Sequence, residues 1–139
     1  MFTGEYHHNL DAKSRVAIPA KFRDAFGQTA YLTKGLDGCI YIYTVEGFQK
    51  RFDSVMALNS NKAEIREYQR SVFSQSIDAD LDTQGRILIN AQFAKMADLK
   101  KECVFVGVGD HVELWSEDNW SRYFNSITDE KLEEISEGL

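Results

Sequence analysis

One stretch of this chain is written twice. LDAKSRVAIPAKFRDAF, residues 10–26, returns without gaps as LDTQGRILINAQFAKMA, residues 81–97. The copies share Leu10/Leu81, Asp11/Asp82, Arg15/Arg86, Ile18/Ile89, Ala20/Ala91 and Phe22/Phe93, with Val16/Ile87, Lys13/Gln84 and Ala17/Leu88 as conservative pairs. With one residue of slippage the match continues from LTKGLDGCIYIY (32–43) to VFVGVGDHVELW (104–115). Two copies are too few for a solenoid, whose terminal units need stacked neighbours. The expected solution is a single domain with internal pseudo-two-fold symmetry, and the duplicated element is the first place to look for function.

Local signals fill in each copy. Residues 4–10 read as a strand entering a turn at 11–14. Asp can bond its own backbone two residues on, and Gly85 occupies the matching fourth place of the second turn. Residues 15–18 and 86–89 are short strands rich in β-branched side chains. Pro19 suits the first turn of a brief helix presenting Phe22 and Phe26 on one face, ended at Gly27. Strands 31–34 and 39–44 surround the turn Gly35-Leu36-Asp37-Gly38, and strands 104–108 and 112–115 surround Gly109-Asp110-His111. A helix follows each hairpin, striped by Val45, Phe48, Phe52, Val55 and Met56 in the first half and by Trp120, Tyr123, Phe124 and Ile127 in the second. A third helix at 62–73 carries Ile65, Tyr68 and Val72, and Thr128 or Asp129 can cap a last one bearing Leu132 and Ile135. The pattern is α+β, with short strands expected to fold into a compact barrel-like sheet. It divides into a first module with its helix (1–58), a connecting helix (59–76) and a second module with C-terminal helices (77–139).

Composition narrows the function classes. A hydrophobic fraction of 43% and a charged fraction of 27% over 139 residues describe an ordinary globular chain with room for a core. No stretch approaches the ~20 apolar residues of a membrane span, and MFTGEYHHNL lacks the basic and apolar regions of a signal peptide, so a cytosolic protein is expected. Cys39 and Cys103 stand in apolar runs and read as buried thiols. The net charge of −6 opposes nucleic acid as a partner only superficially. Acids are concentrated in the tail (Asp129, Glu130, Glu133, Glu134, Glu137 against Lys131), whereas Lys13, Arg15, Lys21 and Arg23 share a window with no acid. A local basic surface is enough to meet phosphates.

The chemistry-bearing motif is Asp-x-x-x-Arg. A single copy would read as readily as a turn with a solvated arginine. Two copies shift the balance, because a turn needs Asp or Gly but does not need Arg directly after it. An arginine held on a tight loop offers five donors in a planar fork, suited to phosphate or to guanine O6 and N7. Two such forks related by symmetry, Arg15 and Arg86, match two similar features of a duplex, with Lys13 and Gln84 at the loop tips to reach phosphate or base edge. His7 and His8 are adjacent on a strand and point to opposite faces, and His111 has no clear partner, so no metal is expected. No G-x-S-x-G motif or Cys/His arrangement suggests nucleophilic catalysis, and the glycine-bearing turns open hairpins rather than helices. Trp115, Trp120, Tyr123 and Phe124 read as core or subunit interface. No enzyme activity, cofactor or small-molecule substrate is expected.

These same residues carry a family resemblance. Asp11-Ala12-Lys13-Ser14-Arg15 followed by Val16-Ala17-Ile18-Pro19, the segment LTKGLDGCIYIY and the second copy DTQGRILI resemble the bacterial MraZ family over nearly the whole chain. The resemblance implies the AbrB-like DNA-binding superfamily, with two units fused as a tandem swapped-hairpin barrel. It implies a ring-shaped homo-oligomer bound to double-stranded DNA, regulating transcription at repeated sites upstream of the division and cell-wall gene cluster that contains its gene. Such a regulator would be cytoplasmic and nucleoid-associated. It assigns the DNA contacts to Arg15 and Arg86, and leaves Asp11, Asp82, Ser14 and Gly85 to shape the loops. Two positions depart from the family pattern. Ser14 stands where Gly is common, which implies modest strain if φ is positive there. Asn90 replaces the proline after the second strand, so that helix start is expected to be less fixed. A toxin-binding antitoxin and a scaffold without DNA contacts are the alternative readings.

Overall fold

The computed structural model describes residues 1–139. Strands β1 (Glu5–Asn9) and β2 (Arg15–Ala17) lead to helix α1 (Ala20–Phe26), the hairpin β3 (Thr29–Lys34) and β4 (Ile40–Tyr43), and helices α2 (Val45–Met56) and α3 (Ala63–Ser74). The order then repeats: β5 (Ser76–Asp80), β6 (Arg86–Leu88), α4 (Ala91–Met96), β7 (Glu102–Gly107), β8 (Val112–Ser116), α5 (Glu117–Ser126) and α6 (Asp129–Glu137). The fold is α+β, with every strand pair antiparallel.

The two halves are woven together rather than placed side by side. A six-stranded sheet runs β1-β7-β8-β4-β3-β5, so the first strand of each half pairs with the hairpin of the other. His7 lies opposite Val104, and Tyr31 opposite Asp78. Strands β2 and β6 form a separate ribbon in which Val16 faces Ile87. The expected barrel does not close: β1 and β5 remain as the sheet's edges. The reason is local, since the chain leaves each edge strand directly into an Asp turn that carries it out to the ribbon.

The core sits between ribbon, sheet and the short helices. Val16, Ile18, Ile87 and Ile89 from the ribbon strands and the residues that follow them meet Phe22, Phe26 and Phe93 from α1 and α4, and Leu32, Ile40, Phe105 and Leu114 from the sheet. Phe22 packs edge-on against both Phe2 and Tyr6, each at 5.2 Å between ring centroids. Such aromatic pairs add specific geometry to the burial of apolar area. The Tyr31 ring stacks on Phe48 at 4.3 Å and docks α2 on the sheet.

Several sequence expectations are refined. Pro19 lies just before α1, at the capping position, instead of inside its first turn. The third helix starts one residue later than expected, with Lys62 as its flanking residue. Asn90 fixes the start of α4 where looseness was expected, because its side-chain oxygen accepts the Phe93 N–H at 2.8 Å. Thr128 caps α6 by accepting from Lys131 N. Of the α2 stripe only Val55 is fully buried, while Val45, Phe52 and Met56 are exposed. Trp115 belongs to the core, but Tyr123, Phe124, Leu132 and Ile135 lie on exposed faces of α5 and α6.

Candidate nucleic-acid interface

Each Asp-x-x-x-Arg segment closes into the same compact loop. Asp11 Oδ1 accepts the backbone N–H groups of Lys13 and Arg15, both at 2.9 Å, and its Oδ2 accepts from Arg15 Nε at 2.9 Å. Asp82 repeats the set with Gln84 N and Arg86 N at 2.9 Å and Arg86 Nε at 2.7 Å. The turn is sealed by Ser14 N donating to Asp11 O, and by Gly85 N donating to Asp82 O. One aspartate therefore nucleates the turn and aims the arginine that follows it. Using Nε for the carboxylate leaves the terminal guanidinium nitrogens as further donors.

The fourth loop position is left-handed in both copies, with φ of 59° at Ser14 and 74° at Gly85. A side chain is unfavourable there, so Ser14 carries the strain that its place in the sequence implied. The acidity of both aspartates follows from this geometry. Asp11 is held below the ordinary carboxylate range chiefly by the Arg15 backbone N–H, and Asp82 by that of Arg86.

The ribbon brings the two loops together. Ile89 N donates to Ser14 O and Ile18 N to Gly85 O, both at 2.9 Å, extending the β2–β6 pairing into each turn. Arg86 Nη1 consequently reaches Asp11 Oδ2 at 3.5 Å as well as its own Asp82. Arg15 pairs with Asp11 alone. The side chains of Arg15 and Arg86 are 31% and 27% exposed, held between core and solvent, while Lys13 and Gln84 stand exposed at the loop tips.

The family comparison matches both halves of the chain, each with its loop. The family described as "MraZ protein, putative antitoxin-like" matches residues 1–71 and again residues 72–139. The chain belongs to the MraZ family. Among its relatives, the "Transcriptional regulator MraZ" of Mycoplasmoides gallisepticum is 39% identical over 139 residues, covering 100% of this chain and 97% of the relative. Proteins of the same name from Thermoanaerobacter sp. (strain X514) and Lactobacillus gasseri are each 40% identical over 100% of this chain and 96% of their own length. Each of the two MraZ matches contains one Asp-x-x-x-Arg loop, and the β2–β6 ribbon takes one strand from each match.

Other cations border the MraZ loops. Lys100 and Lys101 line a groove of about 530 Å³ beside Leu10, Asp11, Ala12 and Ser14. Arg23 of α1 lies against Gly85 on the flank of the second loop. Sequence reading placed Arg23 in the acid-free window but did not link it to Gly85, because the contact crosses between the halves. His7 and His8 do point to opposite sides of β1: His7 is exposed and reaches Glu117 at 3.7 Å, whereas His8 packs on Phe105. Burial, and then the charges of Arg23 and His7, hold His8 below the usual imidazole range. Both cysteines are buried free thiols, and burial pushes Cys103 up to about 11. The largest cleft, about 640 Å³, lies away from the loops and is lined by residues including Tyr41, Tyr43, Arg51, Tyr68 and His111.

Proposed function

We propose that this chain is a sequence-specific DNA-binding transcription regulator. The observation that carries the reading is the juxtaposition of two Asp-buttressed arginines on adjacent, pseudo-symmetric loops. A buttressed guanidinium has already lost much of its side-chain freedom, so less is lost when it meets a guanine edge or a phosphate. Arg15 and Arg86 would supply the principal contacts, with Lys13 gripping phosphate and Gln84 reaching a base edge or phosphate from the neighbouring tip. Asp11, Asp82, Ser14 and Gly85 would shape and stiffen the loops. The strand exchange between halves fits a tandem AbrB-like swapped-hairpin unit, with residues 1–58 and 77–139 as the modules and 59–76 joining them.

One protomer offers few contacts, so useful affinity requires several acting together. A homo-oligomeric ring bound to repeated sites upstream of its own division and cell-wall gene cluster meets that need through avidity. The exposed apolar residues of α2, α5 and α6 provide surface for contacts between copies. The relatives' printed name supports regulation of transcription, and no helix is long and apolar enough to cross a membrane. The site of action would be the cytoplasm, at the nucleoid.

Fluorescence anisotropy with the DNA upstream of this gene, against a scrambled duplex and across a salt series, tests the reading. Native repeats should bind more tightly, and affinity should fall steeply with salt as phosphate contacts release counterions. Arg15→Ala and Arg86→Ala should each lose the preference for native DNA while the oligomer stays assembled. Retention of full affinity by both variants would overturn the assignment.

A further inference from the structure

Arg15 and Arg86 are locally neutralised, since Asp11 and Asp82 pair with them. The four side chains together carry no net charge. A cation that is not paired adds to the attraction for phosphate beside the second loop, and Arg23 lies there against Gly85.

Arg23 is fixed in place by three features. Its Nε donates to the carbonyl of Ile18 at 2.8 Å. Ile18 N in turn donates to the carbonyl of Gly85 at 2.9 Å. The arginine stem fills the space where a Gly85 side chain would go: an added Cβ would lie 2.4 Å from Arg23 Nε and 2.6 Å from Cδ. The other half has the converse arrangement. Ala94 occupies the place in the duplicated sequence that Arg23 occupies in the first copy, and Ser14, the counterpart of Gly85, is exposed where Gly85 is buried.

Arg23 takes part in none of the chain's ion pairs. It borders a groove of about 600 Å³ together with Asp82, Thr83 and Gly85; Asp24 and Asp80 also line that groove, but neither pairs with Arg23. Its remaining guanidinium donors are thus uncommitted and sit beside the loop that carries Arg86.

We propose that Arg23 is a DNA-backbone contact that grips a phosphate beside the second loop, and that Gly85 lacks a side chain so that Arg23 can lie there. This rests on the DNA-binding reading above. The first loop is bordered by Lys100 and Lys101 instead, of which Lys100 lies 4.0 Å from Asp118.

The test uses the full-length protein, the upstream duplex and a scrambled duplex, each titrated across a salt series. Arg23→Met keeps the stem but removes the charge, Arg23→Lys keeps the charge, and Arg86→Ala serves as the reference. Arg23→Met should weaken binding to both duplexes about 5- to 10-fold per engaged protomer at ~0.1 M salt and make the log K against log salt slope shallower by about one per engaged protomer. Arg23→Lys should retain the slope. If Arg23→Met matches the unaltered protein in affinity and slope while Arg86→Ala loses binding, the inference is overturned and the DNA-binding reading stands. A loss of affinity with unchanged slope, not restored by lysine, would make Arg23 only a brace for the loop and also overturn it. If the unaltered protein binds neither duplex, the DNA-binding reading fails and takes the inference with it.

Discussion

Asp11 and Asp82 make the same local bonds but do not carry the same load. Asp82 pairs with the guanidinium of Arg86 alone, whereas Asp11 pairs with that of Arg15 and also lies 3.5 Å from that of Arg86. Asp11→Asn therefore weakens the hold on both guanidiniums, and Asp82→Asn on one. Asp11→Asn should cause the larger loss of DNA affinity, measured by anisotropy on the upstream duplex; equal losses would mean that Arg86 does not use Asp11. Acid should act on the same pair. Both carboxyls lie below their ordinary value of 3.8 in the folded chain, so the native state binds fewer protons than the unfolded one. Their contribution is fully present above that value and is lost as pH falls through the lower folded value. Thermal midpoints followed from about pH 6 to about pH 2.5 should fall, and the Asp11→Asn/Asp82→Asn double variant should show a smaller fall at the acid end. An identical acid dependence in the double variant would remove these loops as its source.

At the scale of the element, the β2–β6 ribbon is too short to persist alone. Each strand has three residues, and an isolated pair of strands is marginal in water. What holds it is its buried face: Val16 and Ile87 are cross-strand partners and both fully buried. Ile87→Ala should destabilise the protein by ~2–5 kcal/mol and Ile87→Val by ~0.5–1.5 kcal/mol in urea unfolding. A Val16→Ala/Ile87→Ala pair should depart from additivity because the residues touch. A cost below about 0.5 kcal/mol for Ile87→Ala would mean that the ribbon is not anchored through this face. Features of this kind were legible in the sequence. The Asp turns, the short strands after them and the inward-facing Phe22 and Phe26 follow from turn chemistry and side-chain periodicity, which are local. The pairing of β1 with β7 was not legible, because an alternating strand states which face is apolar and not which strand lies beside it. Amphipathic spacing marked the stripe on α2 but could not say that Phe52 and Met56 would stay uncovered. Arg23 escaped notice as a loop neighbour for the same reason: its contact with Gly85 arises only once the halves are interleaved.

That interleaving governs the molecule as a whole. Of the six strand pairings, only β3–β4 and β7–β8 join strands of the same half; β1–β7, β2–β6, β3–β5 and β4–β8 all cross between halves. Cutting the chain at the family boundary between residues 71 and 72 would thus leave each piece with a lone hairpin, two unpaired strands and an Asp loop whose ribbon partner is gone. Two-stranded hairpins rarely stand alone, and the core that supports them draws residues from both pieces. Residues 1–71 and 72–139 expressed separately should each show weak strand signal in circular dichroism and poorly dispersed amide NMR spectra at low concentration. Mixing them should restore both signals together with DNA binding, because the missing partner of every crossing pair is then supplied. If one piece folds by itself as a monomer, its hairpin carries more of the stability than the crossing pairs do. In that case the two loops of the interface would be set by separate modules, and Arg86 would reach Asp11 only as a consequence of their docking.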